Sequence, residues 1–150
     1  MELTFHHTGI VVDNIDEVAE NYKSIFGENS ISKKYYVATQ GVNVCFISVG
    51  SGVYLELVES ATDNSLVSKL RRKGQTYYHV GYLTNDIEES FQLLSSLNYM
   101  PLELFKSIEE TSPSPLKNEP SDFFKSEAFE GKRCVFLLSP DGHLIELVEK

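Results

Sequence analysis

The chain has no tryptophan, and only two cysteines and two methionines. Cys45 and Cys134 cannot build the disulfide framework of a small secreted protein, so reduced thiols in the cytoplasm are the expectation. Basic residues are also scarce: 13 Lys plus Arg stand against 22 Asp plus Glu, a formal net charge of −9. A nucleic-acid binder needs a basic face to displace phosphate counterions, which excludes that class. No apolar run approaches the roughly 20 residues of a membrane span. The opening MELTFHHTG lacks the basic-then-apolar order of a signal peptide, so no membrane partner is expected. What is present is ordinary for a globular protein: 150 residues, 41% hydrophobic and 23% charged, expected to form one domain over 1–150.

Within that length the sequence repeats itself. The stretch His7–Glu17 aligns without gaps on His79–Glu89, sharing the His, the Gly two residues later, an acid/amide pair, an Ile and an acidic pair. Downstream, Leu55-Glu56-Leu57-Val58-Glu59 matches Ile145-Glu146-Leu147-Val148-Glu149, and Val44–Ile47 resembles Arg133–Phe136. The second copy is longer around 105–130, which is rich in Ser, Pro, Glu and Lys and predicts a loop or lid. Periodicity predicts strands at Thr8–Val12, Lys34–Thr39, Val42–Val49 and Val53–Val58, and helices from Ile15 to Phe26 and over Ser65–Arg72. The second half predicts strands at His79–Leu83, Pro101–Phe105, Arg133–Leu138 and His143–Val148, with a helix over Ile87–Leu97. Each half is then β-α-β-β-β, module 1 about 3–75 and module 2 about 76–150. The expected class is α+β, with the two modules paired around one cavity because neither buries both sheet faces alone.

The repeat places His7, Glu56, His79 and Glu146 at equivalent strand positions. Strand alternation groups Glu56 with Tyr54 and Val58, and Glu146 with Leu144 and Val148. A carboxylate among apolar neighbours is unfavourable unless it is paired or ligates a metal. Two imidazoles and two carboxylates form a mixed N/O donor set suited to Zn, Co, Ni, Mn or Fe. His6 precedes His7, so alternation puts it on the opposite face, and Tyr78 stands in its place in the second copy. His143 falls in a turn and is expected to be exposed. Cys45 and Cys134 lie among apolar residues in equivalent strands and are expected in the core.

From Phe5 to Glu149 this pattern resembles the vicinal oxygen chelate superfamily of glyoxalases, bleomycin-resistance proteins and extradiol dioxygenases. The resemblance implies a U-shaped mixed sheet around one divalent ion (Co, Ni, Zn or Mn) held by His7, Glu56, His79 and Glu146. Gln40-Gly41-Val42, Tyr54–Glu59, Asp63–Leu70 and Tyr78–Tyr82 with Asn85-Asp86-Ile87 are similar to the methylmalonyl-CoA epimerase branch. Some members of that branch carry an acidic residue where Val44 stands. The final hairpin, Ser139–Leu147, has the form of general glyoxalase-like members.

The resemblance implies proton transfer beside a carbonyl, through a metal-stabilised enolate. It suits an isomerase or epimerase of a small-molecule substrate such as methylmalonyl-CoA or a similar acyl-CoA. Glu146 ranks first as a ligand that doubles as the base and Glu56 second, with Glu127 and Glu130 as weaker candidates. The alternatives are a glyoxalase I-like lactoylglutathione lyase and a non-catalytic resistance-type binding protein. Arg71-Arg72-Lys73 and Lys132-Arg133 are the candidate contacts to substrate phosphates, and Phe123, Phe124 and Phe129 could close over a substrate. Relatives often pair, so a homodimer is expected.

Overall fold

The computed structural model describes residues 2–102 and 123–150. Among them, nine strands form one curled, open, mixed sheet that carries three helices. The first half runs β1 (Thr4–Val11), α1 (Ile15–Phe26), β2 (Tyr35–Val37), β3 (Val42–Gly50), β4 (Val53–Ser60) and α2 (Leu66–Arg72). The second runs β5 (Tyr77–Thr84), α3 (Ile87–Ser96), β6 (Met100–Pro101), β7 (Phe124–Ser126), β8 (Lys132–Leu138) and β9 (Leu144–Glu149). The sheet order is β2-β3-β4-β1-β5-β9-β8-β6, with β7 also paired to β8. Each half repeats one arrangement: β1 lies parallel to β4, β5 lies parallel to β9, and β1 and β5 meet antiparallel at the centre.

The helices begin by the same local chemistry. Asn14 Oδ1 accepts the Glu17 N–H at 3.1 Å, and Asp86 Oδ1 accepts the Glu89 N–H at 2.9 Å. Each cap satisfies an otherwise orphaned donor and points the following helix across its half of the sheet. Gly27, at φ 95°, ends α1 by donating its N–H to the Lys23 carbonyl at 2.9 Å.

Helices α1 and α3 cover the convex face. Under α1, Ile15 and Ala19 pack on Cys45, Ile47 and Leu57; under α3, Ile87 and Leu94 pack on Val135, Leu137, Ile145 and Leu147. A third cluster of Val11, Val37, Val42, Val44, Val58, Tyr78 and Phe136 includes the concave-side positions of β3 and β4, and Val67 of α2 closes against it. Strand alternation thus divides each strand between two cores.

Several expectations change. The strand expected at Lys34–Thr39 shortens to Tyr35–Val37, because the chain turns at residues 38–41, with the Gly41 N–H on the Val37 carbonyl and Gly41 at φ 63°. Of the loop expected at 105–130, residues 105–122 lie outside the described residues, as do 103–105 of the strand expected at Pro101–Phe105. Residues 124–126 are not loop but the edge strand β7, with Phe124 opposite Cys134 in the β8 ladder. The alternation also shifts between copies. Phe46 faces Glu56 and Phe136 faces Glu146, so Val44 corresponds to Cys134, and Cys45 to Val135. Both cysteines are free and buried, but they occupy opposite faces of the sheet. No helix of the described residues is long and apolar enough to cross a membrane.

Candidate metal centre

His7 on β1, Glu56 on β4, His79 on β5 and Glu146 on β9 converge on the concave face, each at most 4% exposed. Their ligand atoms all lie within 4.8 Å of one another. The two imidazoles meet Nε2 to Nε2 at 2.9 Å. Glu146 Oε2 stands 3.2 Å from His7 Nε2 and 3.1 Å from His79 Nε2. Glu56 is looser, its oxygens 3.8 Å from His7 Nε2 and 3.6 Å from His79 Nε2.

Backbone register produces the convergence. In the central ladder His7 sits opposite Gly81 and Gly9 opposite His79. A Cβ on Gly9 would lie 2.5 Å from His79 Cε1, and one on Gly81 would overlap the His7 ring outright. Each glycine therefore leaves the space that the other copy's histidine fills. The repeated His-x-Gly is a reciprocal packing device, since neither glycine has a positive φ that would explain it otherwise. Glu56 lies between Gly9 and Phe46 in its ladders, and Glu146 between Gly81 and Phe136.

Two buried carboxyls this close cannot ionise alike. Burial pushes the Glu56 carboxyl up to about 8, with Glu146 adding to the rise against the pull of His7. Burial opposes ionisation of Glu146 too, but the hydrogen bonds and charges of His7 and His79 together outweigh it and hold this carboxyl low. The set can bind a metal ion. Two nitrogens each about 2.1 Å from one ion, at right angles, stand about 3.0 Å apart, close to the 2.9 Å between the imidazoles. A divalent charge would also stabilise both carboxylates without water.

His6 does not lie on the far face as alternation predicts. The β1–β5 ladder slips between Phe5 and His7, leaving His6 as an extra residue in a bulge. A bulge re-aims its side chain. His6 turns back so that its Nδ1 lies 2.9 Å from His7 Nδ1. A second slip between Gly9 and Ile10 makes Tyr78 the extra residue on β5, beside His79. The two bulges are the clearest miss of the sequence reading. The signal available was a polar aromatic residue immediately before each histidine of the repeat.

His6 lines a cavity of about 390 Å³ with Phe46, Tyr54, Phe129, Lys132 and Lys150. Phe129 stacks over His7, ring centroids 5.7 Å apart, and lines the same cavity. Burial, with the neighbouring His7, lowers the His6 pKa to about 4, so that the ring is neutral. Of the other expected contacts, Phe124 stacks on Phe136 and Phe123 packs on Phe91, as parts of the core and the outer face. Arg71 is committed to Asp13 at 2.7 and 2.9 Å, and Arg133 to Glu149 and Glu88 at 2.7–2.9 Å. Glu130 is exposed at the cavity rim, Glu127 is exposed, and His143 is exposed against Asp141. Burial and the charges of Glu146 and Glu56 push the Cys134 thiol up, which keeps it a neutral core group.

A family model for the glyoxalase/bleomycin resistance protein/dioxygenase superfamily matches residues 6–114. The chain belongs to this superfamily. The uncharacterized protein YqjC of Bacillus subtilis (strain 168) is 35% identical over 147 residues, covering 95% of this chain and 89% of the relative. Methylmalonyl-CoA epimerase from Mycobacterium tuberculosis superposes with a TM-score of 0.75 at 21% identity, covering 97% of this chain and 87% of that one. A single-residue variant of Streptomyces coelicolor methylmalonyl-CoA epimerase, in complex with 2-nitronate-propionyl-CoA, gives 0.75 at 23% identity, covering 99% and 96%. At those identities the likeness is one of fold.

Proposed function

We propose that the protein is a divalent-metal-dependent isomerase or epimerase of the vicinal oxygen chelate type, with methylmalonyl-CoA or a similar acyl-CoA as substrate. The observation that carries this reading is the buried cluster of two imidazoles and two carboxylates beside a substrate-sized cavity. His7, Glu56, His79 and Glu146 would hold the ion, which is Co, Ni, Zn or Mn in this reading. When bound, such an ion supplies a Lewis acid that polarises a carbonyl and offsets enolate charge by several kcal/mol.

The protein's own groups do the rest. Glu146 and Glu56 are the proton carriers beside the α-carbon. Glu56 is the freer of the two, because it stands farther from both imidazoles. Phe129 and Phe46 exclude water from the cluster. Lys132 and Lys150 are the cations of the cavity lining that an anionic acyl-CoA would meet, and Glu130 and Glu149 line the same cavity, so the lining does not itself offset the net −9.

Val44 gives a second reading its support. It is 3% exposed within an apolar core, so no carboxyl stands where a two-base epimerase of this branch has one. That leaves a glyoxalase I-like lactoylglutathione lyase as the second reading. Deuterium exchange into methylmalonyl-CoA in D₂O, with purified protein loaded with Co, Ni, Zn or Mn, separates the two. Exchange there, without turnover of the methylglyoxal–glutathione hemithioacetal, supports the epimerase; the reverse supports the lyase. Uptake of none of the four ions, with turnover of neither substrate, ends the catalytic reading and leaves the resistance-type binder as the alternative. The same reading carries a cytoplasmic homodimer, whose mass light scattering reads directly.

A further inference from the structure

The two copies give their histidines different surroundings. His7 Nδ1 has a partner, His6 Nδ1 at 2.9 Å. His79 Nδ1 is fully buried and has none among the described residues. The residue matching His6 is Tyr78, which packs edge-on against the His79 ring and stacks on Phe136. A neutral imidazole carries one proton, and the hydrogen bond of one nitrogen decides which lone pair the other presents. His7 Nε2 faces the cluster, 2.9 Å from His79 Nε2 and 3.2 Å from Glu146.

We propose that His6 is the positioning residue of His7: its Nδ1 accepts the His7 Nδ1–H, which fixes the tautomer whose Nε2 lone pair faces the ion. This rests on the metal-binding reading above. The bulge is what makes it possible, because a regular strand would send His6 to the convex face. Ring contacts hold His6 in place: its ring centroid lies 4.8 Å from that of Tyr54, tilted, and 5.8 Å from that of Phe129, edge-on. With Nδ1 used as acceptor, His6 carries its own proton on Nε2. It thereby joins the cluster to the cavity that it lines. Partners of this kind, one step behind a metal-bound histidine, are worth roughly 10–100-fold in metal affinity.

The test uses zinc and the full chain. Nitrogen-15 NMR of the zinc-loaded protein should show scalar coupling across the hydrogen bond between His6 Nδ1 and His7 Nδ1. Competition with a chromophoric chelator should show H6F losing roughly 10–100-fold in zinc affinity. H6N, which keeps an acceptor near the Nδ1 position, should stay within about threefold, and Y78F should match the unaltered protein, because His79 has no such partner. Circular dichroism of the zinc-free variants checks that each folds. If H6F does not fold, the coupling and the H6N affinity decide the matter alone. Zinc binding with no coupling, or with H6F within about twofold of the unaltered protein, overturns this inference and leaves the metal site standing. No zinc binding by the unaltered protein overturns both.

Discussion

The two flanks of the buried cluster began as the same piece of sequence and now differ in kind. On the β1 flank stand His6, Phe46 and Tyr54, which open onto the 390 Å³ cavity. At the matching places on the β5 flank stand Tyr78, Phe136 and Leu144. There Tyr78 is 4% exposed and stacks on Phe136, which stacks in turn on Phe124, and the far sides of Tyr78 and Leu144 line a separate cavity of about 650 Å³ against α2. The residues that build the cluster are duplicated: two histidines, two glutamates and two glycines that clear the way for them. The residues around it are not. A pairing of repeats needs symmetry only where the copies meet; either outer flank is free to become a substrate wall or a core.

The sharpest test concerns the glutamates, which the symmetry makes equivalent and the geometry does not. Replacing either by Gln should lower turnover by about 10²–10⁴-fold if that carboxylate moves the proton. Glu56→Gln should keep more of the metal affinity, because Glu56 lies farther from the imidazoles than Glu146. Metal binding measured beside turnover distinguishes the roles. Full activity in Glu146→Gln and Glu56→Gln alike would exclude both as bases.

The aromatic flanks come next. Phe136→Ala should cost about 3–5 kcal/mol of stability, as for a fully buried aromatic. Phe46→Ala should cost less, because Phe46 is 9% exposed and lines the cavity. Urea denaturation of the metal-free variants measures both; equal losses would mean that Phe46 is packed as tightly as Phe136.

The glycines test the centre of the symmetry. Gly81→Ala should destabilise by about 3 kcal/mol, towards the upper end for over-packing, because the new methyl overlaps the His7 ring. Gly9→Ala should cost about 2 kcal/mol, since its closest approach to His79 is less severe. Both should also abolish the stabilisation given by metal, which amounts to about 2.7 kcal/mol at a hundredfold excess over Kd. A thermal shift by Zn or Co that persists in Gly81→Ala would show that His7 relocates without loss.

These pairs also mark how far the sequence could be read. The element order, the α+β class and the four convergent residues followed from periodicity and from the spacing of two repeats, because pleat and helix periods are local properties. His6 did not, since a bulge is a fault in that periodicity and leaves no trace in composition. The Val44–Cys134 correspondence was misaligned by one position, because apolar strands match almost equally well in either register until the ladder to Glu56 and Glu146 is known. β7 was hidden within a polar stretch, and its pairing with β8 is a tertiary event that no local pattern in residues 123–130 announces.

The smallest effect is expected where the two halves still agree. Asn14 and Asp86 cap α1 and α3 through one side-chain oxygen each, on the N–H three residues ahead. Asn14→Ala and Asp86→Ala should each cost about 1 kcal/mol in urea denaturation. The two values should match to within a few tenths of a kcal/mol, because both caps are exposed and follow the same turn geometry. Asp86 also carries a charge at a helix N-terminus, which adds a fraction of a kcal/mol that salt should remove. The difference between the variants should therefore shrink at about 1 M NaCl. A gap that stays above about 1 kcal/mol in high salt would mean that one half of the molecule depends on its helix more than the other. The divergence of the flanks would then extend beyond the site to the convex face.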